Sequence, residues 1–258
     1  MINIIRTGLD ASNKEISMIS HNLANGSTIG FKKSSAGFTD IYAQQVELRD
    51  NVDVGLGTRF VKAHRNHQQG SFIQTDGALD LAINGTGYLL AQGPDGTTSY
   101  TRDGSLSLDN EGNIVSTIGQ LILSEDQTPL NIPFQVINND GETETLSEVR
   151  VDENGAVNTI YSNGSTAVIG NVGLAIFANE TGLKEVGMNQ YLATPMSGAA
   201  TIGRAGEVNF GRIQRGALEA SNTDATAEMT KMIKAQQAFS GSSRMLQAEA
   251  DITKRLMG

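Results

Sequence analysis

The chain has 258 residues, no cysteine, no tryptophan, 5% aromatic residues, and 28 acidic against 19 basic side chains, a net charge of −9. The lack of cysteine excludes a disulfide scaffold, a thiolate zinc site and a cysteine nucleophile. So acidic and aromatic-poor a chain lacks the clustered positive charge that neutralises phosphates, so no nucleic-acid partner is expected.

At the N-terminus, Ile5, Leu9, Ser12, Ile16, Ile19 and Leu23 step by four and three. That spacing predicts a helix over residues 3–24 with a heptad seam, and Asn25-Gly26 is a reasonable stop. Arg6, Asp10, Lys14 and Glu15 interrupt every apolar run in the first twenty residues. Neither a cleaved leader nor a membrane helix is expected there, and any export would use a route that removes no leader.

The middle of the chain is punctuated by turn dipeptides. Seven Asn-Gly or Asp-Gly pairs fall between residues 76 and 164, starting at Asp76-Gly77 and ending at Asn163-Gly164. Such pairs accept the positive φ of tight hairpins. Between them lie short β-leaning runs at 79–83, 88–92, 105–108, 113–117 and 120–123, with less regular pieces at 168–178 and 190–194. An all-β, hairpin-rich domain is therefore predicted from about residue 70 to 216. Gly85 and Gly104 are read as positive-φ turn residues, with 100–102 pairing against 105–108 across Asp103-Gly104.

At the C-terminus, residues 224–257 hold no proline and one glycine, Gly241. Ala225, Met229, Met232, Gln236, Phe239, Ser243 and Leu246 continue the four-three spacing, and Asp224 is a plausible N-cap. A helix of this length would run about 50 Å at roughly 1.5 Å per residue, too long to bury on a small β domain. It is expected to pack on the N-terminal helix and on neighbouring copies. The fold class is thus mixed: a heptad helix at each end and an all-β, hairpin-rich domain between them. Charge follows the same division, near neutral at both ends and −11 over residues 34–216.

Chemistry is sparse. His64 and His67 form an H-x-x-H pair without a nearby acidic or thiol third ligand, which reads as a polar loop. Gly85-Thr86-Gly87 leads into Tyr88-Leu89-Leu90, not into a phosphate-binding helix. Residues 109–113 lack the alternating ligands and closing Glu of a calcium loop and read as a β-turn. No nucleophile elbow or zinc-protease pair occurs. No enzyme activity, metal or cofactor is expected. An acidic protein whose terminal helices simply pack together, with a β domain acting as a binding module or adhesin, remains an alternative.

Three motifs carry a resemblance. They are Asn22-Leu23-Ala24-Asn25-Gly26-Ser27-Thr28-Ile29-Gly30-Phe31-Lys32; then 79–88, including Gly85 and Gly87, with Tyr100-Thr101-Arg102-Asp103-Gly104 and 109–115; and Gly216-Ala217-Leu218-Glu219-Ala220-Ser221-Asn222, leading into 232–239. In this order they resemble the bacterial flagellar rod and hook family, from end to end of the chain. Gln237 and Ser240-Gly241 depart from it, standing where Arg and an acidic residue are usual. The resemblance implies a non-enzymatic axial protein of the basal-body rod, crossing the periplasm, with a discontinuous α-helical coiled-coil domain from residues 1–30 and 217–258, an extended linker over 31–69 and a β-rich outer domain over 70–216. Such a protein is exported through the flagellar type III apparatus without a cleaved signal and polymerises with its own copies, other rod proteins and the hook. Ile5, Leu9, Ile16, Ile19, Leu23, Met229, Met232, Phe239 and Leu246 are then the expected axial packing residues. The family-motif positions are Asn22, Ala24, Asn25, Gly30, Phe31, Gly85, Gly87, Arg102, Gly104, Ser221 and Asn222. The length favours a rod protein over a hook protein, and the short stretch 44–54 leans towards a proximal rod member, while the N-terminal motif and residues 71–123 resemble the distal one comparably well; a distal rod or short hook-type subunit is the alternative.

Overall fold

The computed structural model describes residues 2–43, 54–137 and 143–257. The chain is mostly β with one helix at each end, and it divides into two units. The first comprises Met1–Gly26, Lys33–Asn66 and Thr223–Gly258, the second Ser27–Lys32 and His67–Asn222. No helix among the described residues is long and apolar enough to cross a membrane.

In the first unit, α1 (Ile2–Ala24) packs on a two-stranded ribbon, β1 (Ser34–Ala43) and β2 (Val54–Arg65), and on the C-terminal helix α2 (Ala225–Met257). Asp224 caps α2, its Oδ1 accepting from the Thr226 and Ala227 amides at 2.9 and 3.2 Å. Asn25 closes α1: its amide and its side-chain Nδ2 both donate to the His21 carbonyl. The helices run antiparallel, with Asn22 bonded to Glu228 and Gly8 placed opposite Ser242. This register pairs the start of α1 with about residue 248, so the last two turns of α2 run on past α1. The seam residues Ile5, Leu9, Ile16 and Leu23 are half-buried, and Ser12 and Ile19 are buried.

On α2 the covered stripe is Glu228, Met232, Ala235, Ser242, Leu246 and Glu249, with Phe239 more exposed on the same line. Met229 lies off it and is 52% exposed within the subunit. A four-three repeat can start at either residue, and the buried place goes to Glu228 because Asn22 and Lys231 satisfy its carboxylate.

The second unit contains β3 (Phe72–Gln74), β4 (Leu81–Asn84), β5 (Tyr88–Gln92), β6 (Thr98–Thr101), β7 (Leu106–Leu108), β8 (Ile114–Ser116), β9 (Leu121–Ile122) and β10 (Gln135–Ile137). It continues with β11 (Thr143–Val151), β12 (Ala156–Tyr161), β13 (Thr166–Asn171), β14 (Gly173–Ile176), β15 (Lys184–Gly187), β16 (Gln190–Leu192), β17 (Thr201–Arg204), β18 (Arg212–Arg215) and β19 (Ala217–Glu219). The largest sheet has the order β15-β16-β6-β5-β9-β8-β7, and β14 joins β5 to β17. A second sheet is β10-β11-β12-β13, and β18-β4 and β19-β3 form two short pairs. β5 is covered on both faces. Leu89 and Ala91 enter a core with Ile83, Ile122, Val157 and Leu174, while Tyr88 and Leu90 enter another with Tyr100, Phe177 and Tyr191.

The turn reading is correct at some pairs and fails at others. Asp95-Gly96, Asn154-Gly155 and Asn163-Gly164 close β5-β6, β11-β12 and β12-β13, each glycine at positive φ. Asp103-Gly104 does not close a hairpin: β6 pairs with β5 and β16, and β7 with β8. Gly104 is absent from the positive-φ glycines. It is glycine for lack of room, because a Cβ there would stand 1.6 Å from the Leu81 carbonyl oxygen. Gly85 does have φ +113, but it joins β4 to β5, which are not partners. Asp140-Gly141 and the stretch 44–53 behind the proximal lean lie outside the described residues.

The unit boundaries also depart from the linker drawn over 31–69. Residues 27–32 belong with the β strands, 33–66 with the helices, and 217–222 with the β strands. The buried contacts of Phe31, Lys32 and Glu219 account for the shift.

Candidate functional site

The motif residues gather at two places, one in each unit. In the first unit, Asn22 is 1% exposed and holds three elements together. Its Nδ2 donates to the Ser34 carbonyl at 2.8 Å and to Glu228 Oε2 at 3.1 Å, and its Oδ1 accepts from the Ser34 amide at 2.9 Å. A side-chain amide carries a donor and an acceptor on one rigid plane, so it can both give to and take from a single backbone residue, as Asn22 does with Ser34. Ala24 ends α1 and is exposed. At the far end of α1, a Cβ on Gly57 (φ +107) would stand 2.2 Å from Thr7 Oγ1, so β2 runs hard against the helix. The Lys14 ammonium lies 4.8 Å above the Phe60 ring.

In the second unit, the site centres on Glu219 in β19, whose side chain is 1% exposed. Its carboxylate accepts from Lys32 Nζ, from Arg102 Nη1 at 3.2 Å and from the Gly70 amide at 2.9 Å. Its carbonyl accepts from the Gly30 amide at 2.8 Å. Lys32 Nζ also donates to the Gln68 carbonyl at 2.8 Å, and Arg102 Nη2 to the Gly85 carbonyl at 3.0 Å. Burial pushes the Lys32 ammonium below its ordinary value, while Glu219 pulls the other way. Gly30 sits at φ +67, and a Cβ there would lie 2.7 Å from the Asp103 amide nitrogen, so two constraints select glycine. Phe31 is buried beside it. Asn222 donates from its amide to the Phe31 carbonyl and from Nδ2 to the Gln68 carbonyl, and Ser221 is buried. Gly87, at φ +140, faces Leu174 and Ala175 of β14.

An aromatic cluster adjoins the carboxylate. The Arg102 guanidinium lies 5.0 Å from the Tyr88 ring centre, and the Tyr88 hydroxyl bonds His67 Nδ1 at 2.8 Å. His67 also packs on Tyr191, so it is no polar-loop residue. His64 belongs to β2 in the other unit. Burial raises the Tyr88 hydroxyl far above its ordinary value and raises the Glu180 carboxyl, the latter against the pull of Arg102 and Lys32.

Lys32, Glu219 and Glu228 were not among the expected site residues. Lys32 and Glu219 stand inside the quoted motifs. The available signal for Glu219 was its place between Leu218 and Ala220 on a short strand, where a solvated carboxylate is out of character.

The two chain ends and the β1-β2 ribbon thus form one unit, and an antiparallel β unit lies between the ends in sequence. The family model of the flagellar hook protein FlgE/F/G D1 domain matches residues 82–159, and that of the flagellar basal-body rod FlgEFG C-terminal region matches 214–258. The flagellar basal-body rod protein FlgG of Caulobacter vibrioides is 35% identical, covering 93% of this chain and 91% of its own. FlgG of Buchnera aphidicola subsp. Acyrthosiphon pisum is 33% identical over 98% and 96%, and FlgG of Bacillus subtilis 30% over 97% and 95%. The flagellar hook protein FlgE of Salmonella typhimurium is 22% identical over 97% and 98%. A solved structure, Helicobacter pylori flagellar hook protein FlgE2, matches 66% of this chain and 47% of its own at 15% identity, with a TM-score of 0.27. The chain belongs to the family of flagellar basal-body rod proteins. The relatives bear the names of rod and hook proteins, not of enzymes.

Proposed function

We propose that this chain is a structural subunit of the flagellar rod, placed in the distal rod, polymerising helically around an export channel and carrying torque towards the hook. The observation that carries the reading is identity of 30–35% to FlgG proteins along nearly the whole of both chains, which includes both terminal helices. The likeness to FlgG supports the distal placement over the proximal lean.

The helix pair supplies the polymerising element. Met229, Ile233 and Met245 are more than half exposed on α2, as are Ile252 and Leu256 on the turns that run past α1. In the rod these side chains are covered by α1 and α2 of neighbouring copies, as a coiled coil shared between subunits. The axial residues Ile5, Leu9, Ile16, Ile19, Leu23, Met232, Phe239 and Leu246 hold the pair together. Other rod proteins, the hook and the type III export apparatus are the remaining partners, and the basal body is the location. No catalysis is assigned.

Complementation of a deletion strain tests this. The wild-type chain is expected to restore swimming and appear in purified basal bodies by immunogold labelling, and Leu246→Asp to fail at both while the β unit stays folded. A deletion strain that swims normally would overturn the reading.

A further inference from the structure

The chain passes between its two units at 26/27, 32/33, 66/67 and 222/223. On the β side of those crossings lie 27–32, the stretch starting at His67, and the stretch ending at Asn222. We propose that the buried cluster Lys32–Glu219–Arg102 is the torque joint of the subunit, gathering every segment by which the backbone enters and leaves the β unit into one anchored point. The torque role rests on the rod reading above; the joint itself does not.

Each passing segment is tied to the other two. Residues 27–32 hold Glu219 through the Gly30 amide and the Lys32 ammonium, and accept from the Asn222 amide at the Phe31 carbonyl. Residues 67–71 hold Glu219 through the Gly70 amide, and take Lys32 and Asn222 together on the Gln68 carbonyl. The Ala220 amide donates to the Ser71 carbonyl. Two further bonds anchor the knot to the sheet: Arg102 reaches from Glu219 to the Gly85 carbonyl, and Asn189 Nδ2 donates to the Ile29 carbonyl at 2.7 Å. Force travelling along any one segment therefore meets all three. An apolar contact would let neighbouring segments slip; directional bonds to a single desolvated carboxylate do not.

Amide hydrogen exchange on the full-length chain tests the joint, and swimming under load tests its role. In Lys32→Met, which leaves Arg102 and Glu219 balanced one to one, the Gly30, Gly70 and Asn222 amides are expected to exchange at least tenfold faster, all together. Leu89 and Leu90 of β5 should stay within twofold. Asn222→Ala, which removes no charge, should speed Gly30 and Gly70 several-fold although it touches neither amide. Unchanged amides, amides that respond singly, or equal acceleration at Leu89 and Leu90 would each overturn the joint. A Lys32→Met strain should swim normally in dilute medium and fail in viscous medium. Wild-type swimming at both viscosities would overturn the torque role, whereas a motile deletion strain would overturn the rod reading and leave the exchange result standing.

Discussion

Gly104→Ala distinguishes a steric requirement for glycine from a conformational one. A Cβ at Gly104 would stand 1.6 Å from the Leu81 carbonyl oxygen and 2.7 Å from its carbonyl carbon, where ordinary contact begins near 3.4 Å. Both obstacles are backbone, so no rotamer relieves them. The segments must part by well over an ångström, which breaks the bond from the Leu81 amide to the Gly104 carbonyl at 3.0 Å and the bridge of Asp80 to Ser105. Overpacking costs about 1–3 kcal/mol, and a buried backbone group left without its partner about 1–3 kcal/mol more. The sum of roughly 2–6 kcal/mol corresponds, at about 2–4 °C per kcal/mol for a unit of this size, to a fall of roughly 4–24 °C in melting temperature. Gly119→Ala is the control: φ is +78 and nothing lies within 4 Å, so only the backbone term of about 1–2 kcal/mol applies. Calorimetric melts of the full-length chain read both. If Gly104→Ala melts no lower than Gly119→Ala, the close approach of 104 to 81 is wrong.

Three further outcomes are expected. Asn22→Ala removes one buried and two part-buried hydrogen bonds and takes away the Asn22 partner of both backbone groups of Ser34, which should cost the helical unit about 2–3 kcal/mol in urea unfolding followed at 222 nm; an unchanged midpoint would refute the role given to this node. Glu180→Gln tests the sign of a burial effect. The carboxyl is raised above 4.5, so between that value and its folded value the folded state holds the proton more tightly, and stability falls as pH rises through the window. The substitution should therefore raise the β-unit melting temperature at pH 7 and lose its advantage near pH 4, and the opposite trend would reverse the assignment. Gly241→Ala, in open space on α2, should stabilise the helix by about 1 kcal/mol in the same urea titration, and no gain would mean that this turn is not helical in solution.

What could be read in advance was what depends on neighbours in sequence. The four-three spacing of Ile5 to Leu23 and of Met232 to Leu246 placed both helices, because helix faces repeat within a few residues. The run Tyr88–Gln92 was legible as a strand, and Asn154-Gly155 and Asn163-Gly164 as hairpin turns, for the same reason. Pairing partners were not, since 100–102 and 105–108 are adjacent in sequence yet belong to different pairs. The buried charges were least visible. Glu219 meets Gly70 149 positions earlier and Lys32 187 earlier, and a glutamate carries no mark of burial until those partners arrive. Glu228 displaced Met229 from the covered stripe in the same way, through an asparagine 206 positions away.

Stability alone does not explain why a carboxylate and two cations occupy the joint. Removing three ions from water costs several kcal/mol each, and their mutual attraction does little better than repay it, so an apolar trio of similar volume can be as stable or more so. Removing Glu219 alone is different, because it strands two buried cations at about 3–5 kcal/mol. What the ions add is direction: Glu219 Oε1 has to meet the Gly70 amide and the Lys32 ammonium at once, and only one alignment of the three segments does this. The triple variant Lys32→Met, Arg102→Met, Glu219→Leu separates the two contributions. Its melting temperature is expected to stay within a few degrees of wild type, while the Gly30 and Gly70 amides, expected as single resonances in the parent, should split or broaden as the segments sample several registers. A triple variant that keeps sharp single resonances would show that apolar packing suffices to set the alignment; one that melts as low as Glu219→Gln would show that the ions stabilise the fold outright.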